Sequence, residues 1–404
     1  MDTEGITPSR SARTRLVVAL GLERNIVAVS GAMFLMGLGE NLWRRFLPKY
    51  LETLGAPVTA IGLFGTTEDF LDGIYQYPGG WVADRFGRRH ALLLFVTLAI
   101  VGYALYLVAP SWPFVFLGLV FAMAWTSMAS PTLFAVVGDA LPKEQRTLGF
   151  TVQSVLRRVP IAMAPTLGGL AIAAYGVRSG VRIGLGTSMA LALVTLAVVA
   201  RVRVPALIDE MPTNIFGVWR ALPSPLRWLL ASDIFIRICE AMVDIFLVLF
   251  AINVVGISAP AFGLLVAVQM TTSIISYFPA ARLADRTGRK PFVVATFVAF
   301  SLFPLAVVVS KSLAGLVVAF VVGGLREMGE PARKALIVGF VRPNIRARSI
   351  GLYYLVRSLA IAPAAFVGGL LWGVTPALPF YVAAGMGIIG TIVFAVTVDE
   401  RHAG

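Results

Sequence analysis

Cysteine and histidine are almost absent from this chain. Cys239 is the single cysteine, which excludes an intrachain disulfide and any cysteine-cluster metal site. His90 and His402 are the only histidines and no GxxxxGK[ST] phosphate loop occurs, so histidine-based catalysis and ATP hydrolysis lack their parts. The chain is not expected to be an enzyme, and no cofactor is expected. Charge is sparse too: 14% of residues are charged against 58% hydrophobic, and the apolar residues come in long blocks rather than amphipathic stripes. Residues 1–25 hold Arg10, Arg13, Arg15 and Arg24 without an apolar core ending in a small-residue cleavage site, so no signal peptide is expected.

What the chain has in quantity is apolar blocks of the roughly 20 residues that a helix needs to cross a hydrocarbon core. They predict twelve spans, near 26–48, 58–80, 91–109, 113–140, 148–174, 183–200, 228–251, 260–281, 291–310, 313–338, 349–373 and 378–398. Backbone polar groups in lipid must be satisfied within each segment. The expected fold class is therefore an all-α membrane protein of twelve transmembrane helices.

The net charge of +13 would suit nucleic acid, but its placement argues otherwise. With the polar N-terminus on the cytoplasmic side, the outer loops carry only Lys49, Arg178, Arg182, Lys311 and Glu52, and the remaining loop and tail charge collects on the other side. This positive-inside bias predicts a multi-pass protein of the cytoplasmic membrane, both termini cytoplasmic, with the lipid bilayer and no nucleic acid as partner.

Residues 201–227 form the longest connection and contain Pro212, Pro223 and Pro225. The predicted organisation is a tail (1–25), a six-helix bundle (26–200), a cytoplasmic linker (201–227), a second six-helix bundle (228–398) and a C-terminal tail (399–404). The bundles read as repeats when the chain is shifted by 200 or 201 residues. Asp84, Gly87 and Arg88 then fall on Asp285, Gly288 and Arg289; Gly62 and Pro78 on Gly263 and Pro279; Glu40, Phe46 and Leu47 on Glu240, Phe246 and Leu247. Arg146, Arg157, Ile161, Gly168 and Gly169 meet Arg346, Arg357, Ile361, Gly368 and Gly369. So many shared polar and glycine positions mark a duplicated unit.

Between spans 2 and 3, GWVADRFGRR (Gly80 to Arg89) resembles the loop motif of the major facilitator superfamily, Gly-x-x-x-Asp-Arg-x-Gly-Arg-Arg/Lys. ARLADRTGRK (Ala281 to Lys290) echoes it between spans 8 and 9, with Ala281 in place of the first Gly. The resemblance covers nearly the whole chain and implies two six-helix bundles that rock about a midplane site. It further implies that these loops hold the cytoplasmic side closed, each Asp near a helix N-terminus of the opposite half and each Arg near the acid ending span 4. The gate residues are then Asp84, Arg85, Gly87 and Arg88, with Asp139 as the acid for Arg88, and Asp285, Arg286, Gly288 and Arg289. Gly339 stands where a second such acid belongs, so the second latch is expected to be weaker or Arg289 to find another partner. Aspartate is favoured at a helix N-terminus and glycine permits the tight turn. A positive-inside stop signal, the alternative, accounts for the arginines but not for the spaced Asp and Gly. Asp84→Asn is expected to lower transport strongly while insertion is preserved; unaltered turnover in a flux assay would refute the latch.

In span 5, APTLGG (Ala164 to Gly169) resembles the superfamily's antiporter motif Gly-Pro-x-x-Gly-Gly, with Ala164 replacing the first Gly and Pro160 an earlier one. Arg157 and Arg357, equivalent by repeat, are expected to form gate ion pairs with acids of the opposite half.

Ionisable residues inside spans are costly and mark function by default. Asp233, Arg237, Glu240 and Asp244 in span 7 lie on one helical face. Span 1 holds Glu40, Arg44 and Arg45, and span 10 holds Arg326, Glu327, Glu330, Arg333 and Lys334. The resemblance implies that spans 1, 4, 7 and 10 line a central cavity, so Glu40 and Glu240 face each other there and are the expected proton-coupling residues. Charges without a like counterpart in the other half are assigned to substrate: Arg237, Asp244, Arg326, Glu327 and Glu330. Alternatively Asp244 pairs with Arg44, and the span 10 charges bind those of span 7 to hold the second bundle together. Span 2 holds Glu68, Asp69 and Asp72, of which Glu68 and Asp72 share a face and are expected to meet Arg357 or to stay protonated. Three such carboxylates also suit a hard cation, but no metal site is assigned.

The expected function is secondary active transport by alternating access: proton-coupled antiport exporting a small polar or charged organic solute, with a monomer as the working unit. The alternatives within the class are a broad drug exporter, with Trp43, Tyr75, Tyr77, Trp125, Tyr353 and Tyr354 lining an adaptable pocket, and a proton-coupled uptake symporter. Outside it stand a membrane enzyme and a non-transporting sensor.

Overall fold

Every left-handed backbone position among the described residues is a glycine, and four of the five form repeat-related pairs: Gly55 (φ 82°) with Gly256 (φ 81°), and Gly87 (φ 82°) with Gly288 (φ 103°). A side chain is strained at such torsions, so the chain turns at the same places in both halves. These turns belong to a computed structural model that describes residues 24–129, 146–201, 222–340 and 346–399, with no strand among them.

The first half comprises α1 (Arg24–Trp43, a 3₁₀ turn Arg44–Phe46, then Leu47–Thr53), α2 (Val58–Phe86), α3 (Arg88–Val108) and α4 (Trp112–Met123 with a π turn Ala124–Met128). The helical stretch Arg146–Val199 is two rods, α5 and α6, meeting at Gly176 (φ 78°, ψ 165°). One glycine reverses the chain there, so Arg178 and Arg182, expected in a loop, are helical. The second half repeats the plan with α7 (Ser224–Asp244, Leu247–Leu249 and a π turn Phe250–Val254), α8 (Ala259–Thr287) and α9 (Lys290–Val309). It continues with α10 (Leu313–Leu325, then Glu330–Gly339), α11 (Arg346–Ile361, then Ala364–Val374) and α12 (Leu378–Thr397).

On length and composition alone, six described segments qualify as membrane spans, of which Arg158–Val199 contains two crossings. Large apolar side chains face outward, with Val396 77%, Ile275 68% and Val318 64% exposed. So much exposed apolar surface suits lipid, not water. Ionisable side chains in the middle of the second-half rods turn inward, where Asp233 is fully buried and Arg333 is 2% exposed.

The halves touch along two seams, α2 against α11 and α5 against α8. A Cβ on Gly62 would lie 2.6 Å from the Ala365 carbonyl oxygen, and one on Gly263 would lie 2.5 Å from that of Pro165. Glycine at these repeat-related positions lets backbones approach as they do between small residues in membrane helices. Phe366 N–H donates to Thr66 Oγ1 across the first seam at 3.0 Å. Near the Gly55 and Gly256 turns, Lys49 Nζ donates to Asn253 Oδ1 (2.5 Å), and Asn253 Nδ2 donates to Glu52 Oε1 (3.0 Å). The two halves are thus joined at that face.

Candidate functional site

All four inner rods break at equivalent heights. In α1, Pro48 has no N–H for the Arg44 carbonyl, which instead accepts from Leu47 N–H in the 3₁₀ turn Arg44–Phe46. The equivalent residues Ile245 and Phe246 interrupt α7, where Phe246 N–H bonds Val243 O at 2.9 Å. The π turn of α4 falls opposite the break of α10 at residues 326–329, which precedes Pro331. Interrupted helices in corresponding positions of two repeats mark a transporter's binding site, and π turns gather at functional sites.

A chamber of about 460 Å³ lies among these breaks, with walls from α1, α2, α4, α5, α7 and α11. Its ionisable lining is Glu40, Arg44 and Arg45 from α1, Glu68 and Asp69 from α2, and Glu240 and Asp244 from α7. Glu40, 7% exposed, accepts hydrogen bonds from Tyr103 Oη (2.7 Å) and Thr126 Oγ1 (3.0 Å). Glu240 is held by Arg237 Nη1 at 2.6 Å and lies 3.8 Å from Arg326 Nη1, which is also 3.6 Å from Asp244. Arg326 cannot swing freely. Its guanidinium lies 4.3 Å from the Phe303 ring centroid and 5.1 Å from that of Phe300, and its Nε donates to Gly323 O at 3.1 Å.

Behind the α7 wall is a buried ionic cluster. Asp233 accepts from Arg333 Nη1 (2.5 Å), Tyr353 Oη (2.9 Å) and Arg357 Nη1 (3.3 Å). Glu330 pairs with Arg333 at 2.7 Å, with Arg237 at 3.4 Å and with Lys334 at 3.4 Å. The repeat mates of Asp233, Arg237, Glu330 and Arg333 are Met33, Gly37, Ser130 and Leu133, so the cluster belongs to the second half.

Of the expected site residues, Glu40, Glu240 and Asp244 line the chamber, while Arg237, Arg326 and Glu330 stand behind them as ion-pair partners. Glu327 instead reaches across the halves to Arg158 Nη2 at 3.3 Å, and that guanidinium lies 4.5 Å from the Tyr277 ring centroid. Three expected partnerships are corrected. Arg44 pairs with Glu68 rather than Asp244, because the α1 break turns it toward α2. Arg357 pairs with Asp233 of its own half rather than with an acid of the opposite half, because α11 packs beside α7. Glu68 and Asp72 therefore do not meet Arg357: Asp72 accepts from Ser127 Oγ at 2.6 Å. Among the described residues no three His, Cys, Asp or Glu side chains are grouped to hold a metal ion.

Of the residues expected to form the gate, Gly87 and Gly288 make the expected turns, Arg88 is buried, and Arg289 has partners of its own. Arg85 and Arg286 are exposed, with Arg85 5.2 Å from the Trp81 ring centroid. Asp139 lies outside the described residues, as do the side chains of Asp84, Asp285 and Arg157. The sequence reading passed over Tyr103, Arg158 and the four helix breaks as site features. Pro48, Pro331 and Pro131, which matches Pro331 by repeat, were the available signals for the breaks in α1, α10 and α4.

This architecture agrees with what comparison shows. The family model described as the Major Facilitator Superfamily matches residues 29–231 and again residues 229–404. The chain belongs to the major facilitator superfamily. An uncharacterized MFS-type transporter of Methanocaldococcus jannaschii is 23% identical over 384 residues, 91% of this chain and 93% of that protein. The quinolone resistance protein NorA of Staphylococcus aureus is 24% identical over 148 residues, 37% of this chain and 38% of its own. Among solved structures, the nucleoside transporter NupG shares the fold with a TM-score of 0.75 at 13% identity, covering 92% of this chain and 98% of that one. The peptide transporter POT, solved with sulfate, has a TM-score of 0.73 at 15% identity, covering 92% and 94%. This superfamily member is a multi-pass membrane transporter and not an enzyme.

Proposed function

We propose that this transporter exports a small polar or charged organic solute from the cytoplasm in exchange for protons, by rocking its halves about the central chamber. The observation that carries this reading is that both halves bring carboxylates to one chamber at the level where their inner helices break. Glu40 and Glu240 are the proton-coupling pair, each on the inner helix of its half. The bound Arg237, Arg326 and Glu330 set the charge of the α7 wall against which solute and proton compete. In this reading both termini are cytoplasmic and the chain works as a monomer in the cytoplasmic membrane. The seams at the Gly55 face form the outer closure, and the Gly87 and Gly288 loops, with Arg158 and Glu327, form the inner one.

The test is flux into proteoliposomes with an acid interior and a panel of labelled polar metabolites outside. Accumulation driven by the acid interior supports antiport, whereas accumulation driven only by an alkaline interior means symport. Glu40→Gln is the cleanest variant, since the amide oxygen still accepts from Tyr103 and Thr126 while the titrating group is gone. Gradient-driven accumulation is expected to fall about tenfold or more, in the range of general acid–base losses, with solute counterflow retained. A second reading, broad drug export, has in its favour the similarity to NorA over part of the chain. Competition among unrelated hydrophobic cations would select it.

A further inference from the structure

We infer that the chamber binds a zwitterion, its anionic group at Arg45 on α1 and its cationic group at Asp69 on α2. This deepens the reading of the chamber as the transport site and rests on it. Sorting the wall charges by the partners they already have leads to it. Arg44 is taken by Glu68. Glu240 is taken by Arg237 and Arg326, and Asp244 shares Arg326. Glu40 accepts from two neutral hydroxyls and, among the described residues, forms no salt bridge. Among the described residues, Arg45 and Asp69 make no hydrogen bond and no salt bridge, and both line the chamber.

An ionisable side chain without a partner at membrane depth is expensive, and an arginine and an aspartate are left over on different helices. The surroundings of the two differ. The charges acting most strongly on Asp69 are Glu68 and Asp72 on its own helix and Glu240 and Asp244 on α7, all acidic. That corner attracts a cation. The charges acting most strongly on Arg45 are those of Asp244, Arg44, Arg326 and Glu68, a mixed set, and its guanidinium can grip a carboxylate or other oxyanion in a bidentate manner. The 3₁₀ turn of α1 brings Arg44 and Arg45 to the same wall, so the free guanidinium stands beside the one already neutralised. A volume of about 460 Å³ lies toward the small end of ligand pockets, fitting a solute of metabolite size. A solute carrying both charges satisfies Arg45 and Asp69 at once, and a singly charged one leaves the other uncompensated.

The experiment is ligand-dependent thermal stability of the full-length purified protein with matched triplets. These are 4-aminobutyrate against butylamine and butyrate, and phenylalanine against phenethylamine and 3-phenylpropionate. At least one zwitterion is expected to stabilise the protein at about tenfold lower concentration than either of its singly charged analogues. Arg45→Gln should erase the advantage over the amine and Asp69→Asn the advantage over the acid, while Arg45→Lys keeps part of the first and shows that the fold tolerates the position. The inference is overturned if an amine or an acid alone matches its zwitterion in both triplets, if neither zwitterion shifts the melt, or if the two variants keep the preference. No gradient or flux enters the measurement. A proton-coupled transporter of a simple cation therefore fails here while passing the flux test, and an uncoupled transporter of a zwitterion does the reverse.

Discussion

Asp233→Ala is expected to lower the stability of the purified transporter by about 3–5 kcal/mol, the cost of breaking a buried ionic cluster by removing one partner. Asp233 is fully buried and is the shared acceptor for Arg333, Tyr353 and Arg357. Without it, Arg357 loses its ion pair and Arg333, 2% exposed, keeps only Glu330. The loss is read as a lower melting temperature and a smaller monodisperse fraction in detergent. Replacing the pair together, Asp233→Leu with Arg333→Met, should recover much of it, because apolar packing can replace an ion pair that costs desolvation. A single variant that melts like the parent would show that the cluster does not hold α7, α10 and α11 together.

Gly263→Val is expected to reduce transport roughly tenfold to a hundredfold, the population shift that 1–3 kcal/mol of overpacking produces. The added Cβ would sit 2.5 Å from the Pro165 carbonyl oxygen and 2.6 Å from the Thr166 Cα, both backbone atoms of the opposite half. Neither can yield without parting α5 from α8, so the variant cannot fully close this face of the molecule. Gly62→Val should act alike at the other seam, where the obstacle is the Ala365 carbonyl oxygen at 2.6 Å. Gly385→Ala on α12, with nothing within 4 Å of its Cβ, should leave transport unchanged. The defect is separated from misfolding by the melt and from lost binding by greater labelling of cysteines placed in the chamber wall from the Gly55 side. Wild-type flux in both seam variants would mean that these seams do not govern access.

Glycine makes plain why some features were readable in advance. Gly87 and Gly288 were expected to turn the chain and do so, because a positive φ is a property of one residue. The same holds for the apolar blocks, whose need to satisfy their own backbone is met within each segment. Glu40 and Glu240 could be placed on matching helices because a repeat carries positions from one half to the other. Ion pairing is different. Glu40 and Arg44 stand one turn apart, yet Arg44 bonds Glu68 and Glu40 bonds Tyr103 and Thr126. Arg357, read as a bridge between halves, stays within its own, and Arg158 beside Arg157 makes the crossing to Glu327.

Local chemistry written along the chain thus dictated that this protein crosses the membrane many times, that it is a tandem of two like bundles, and where it turns. Which charge neutralises which came from the tertiary structure, which sets Arg44 of α1 against Glu68 of α2, Arg326 of α10 against Glu240 of α7, and Asp233 of α7 against Arg333 and Arg357. A long side chain selects among several partners at similar distance, and a helix break of a few residues redirects it. Such choices rest on neighbours remote in the chain, and folding alone brings them within reach.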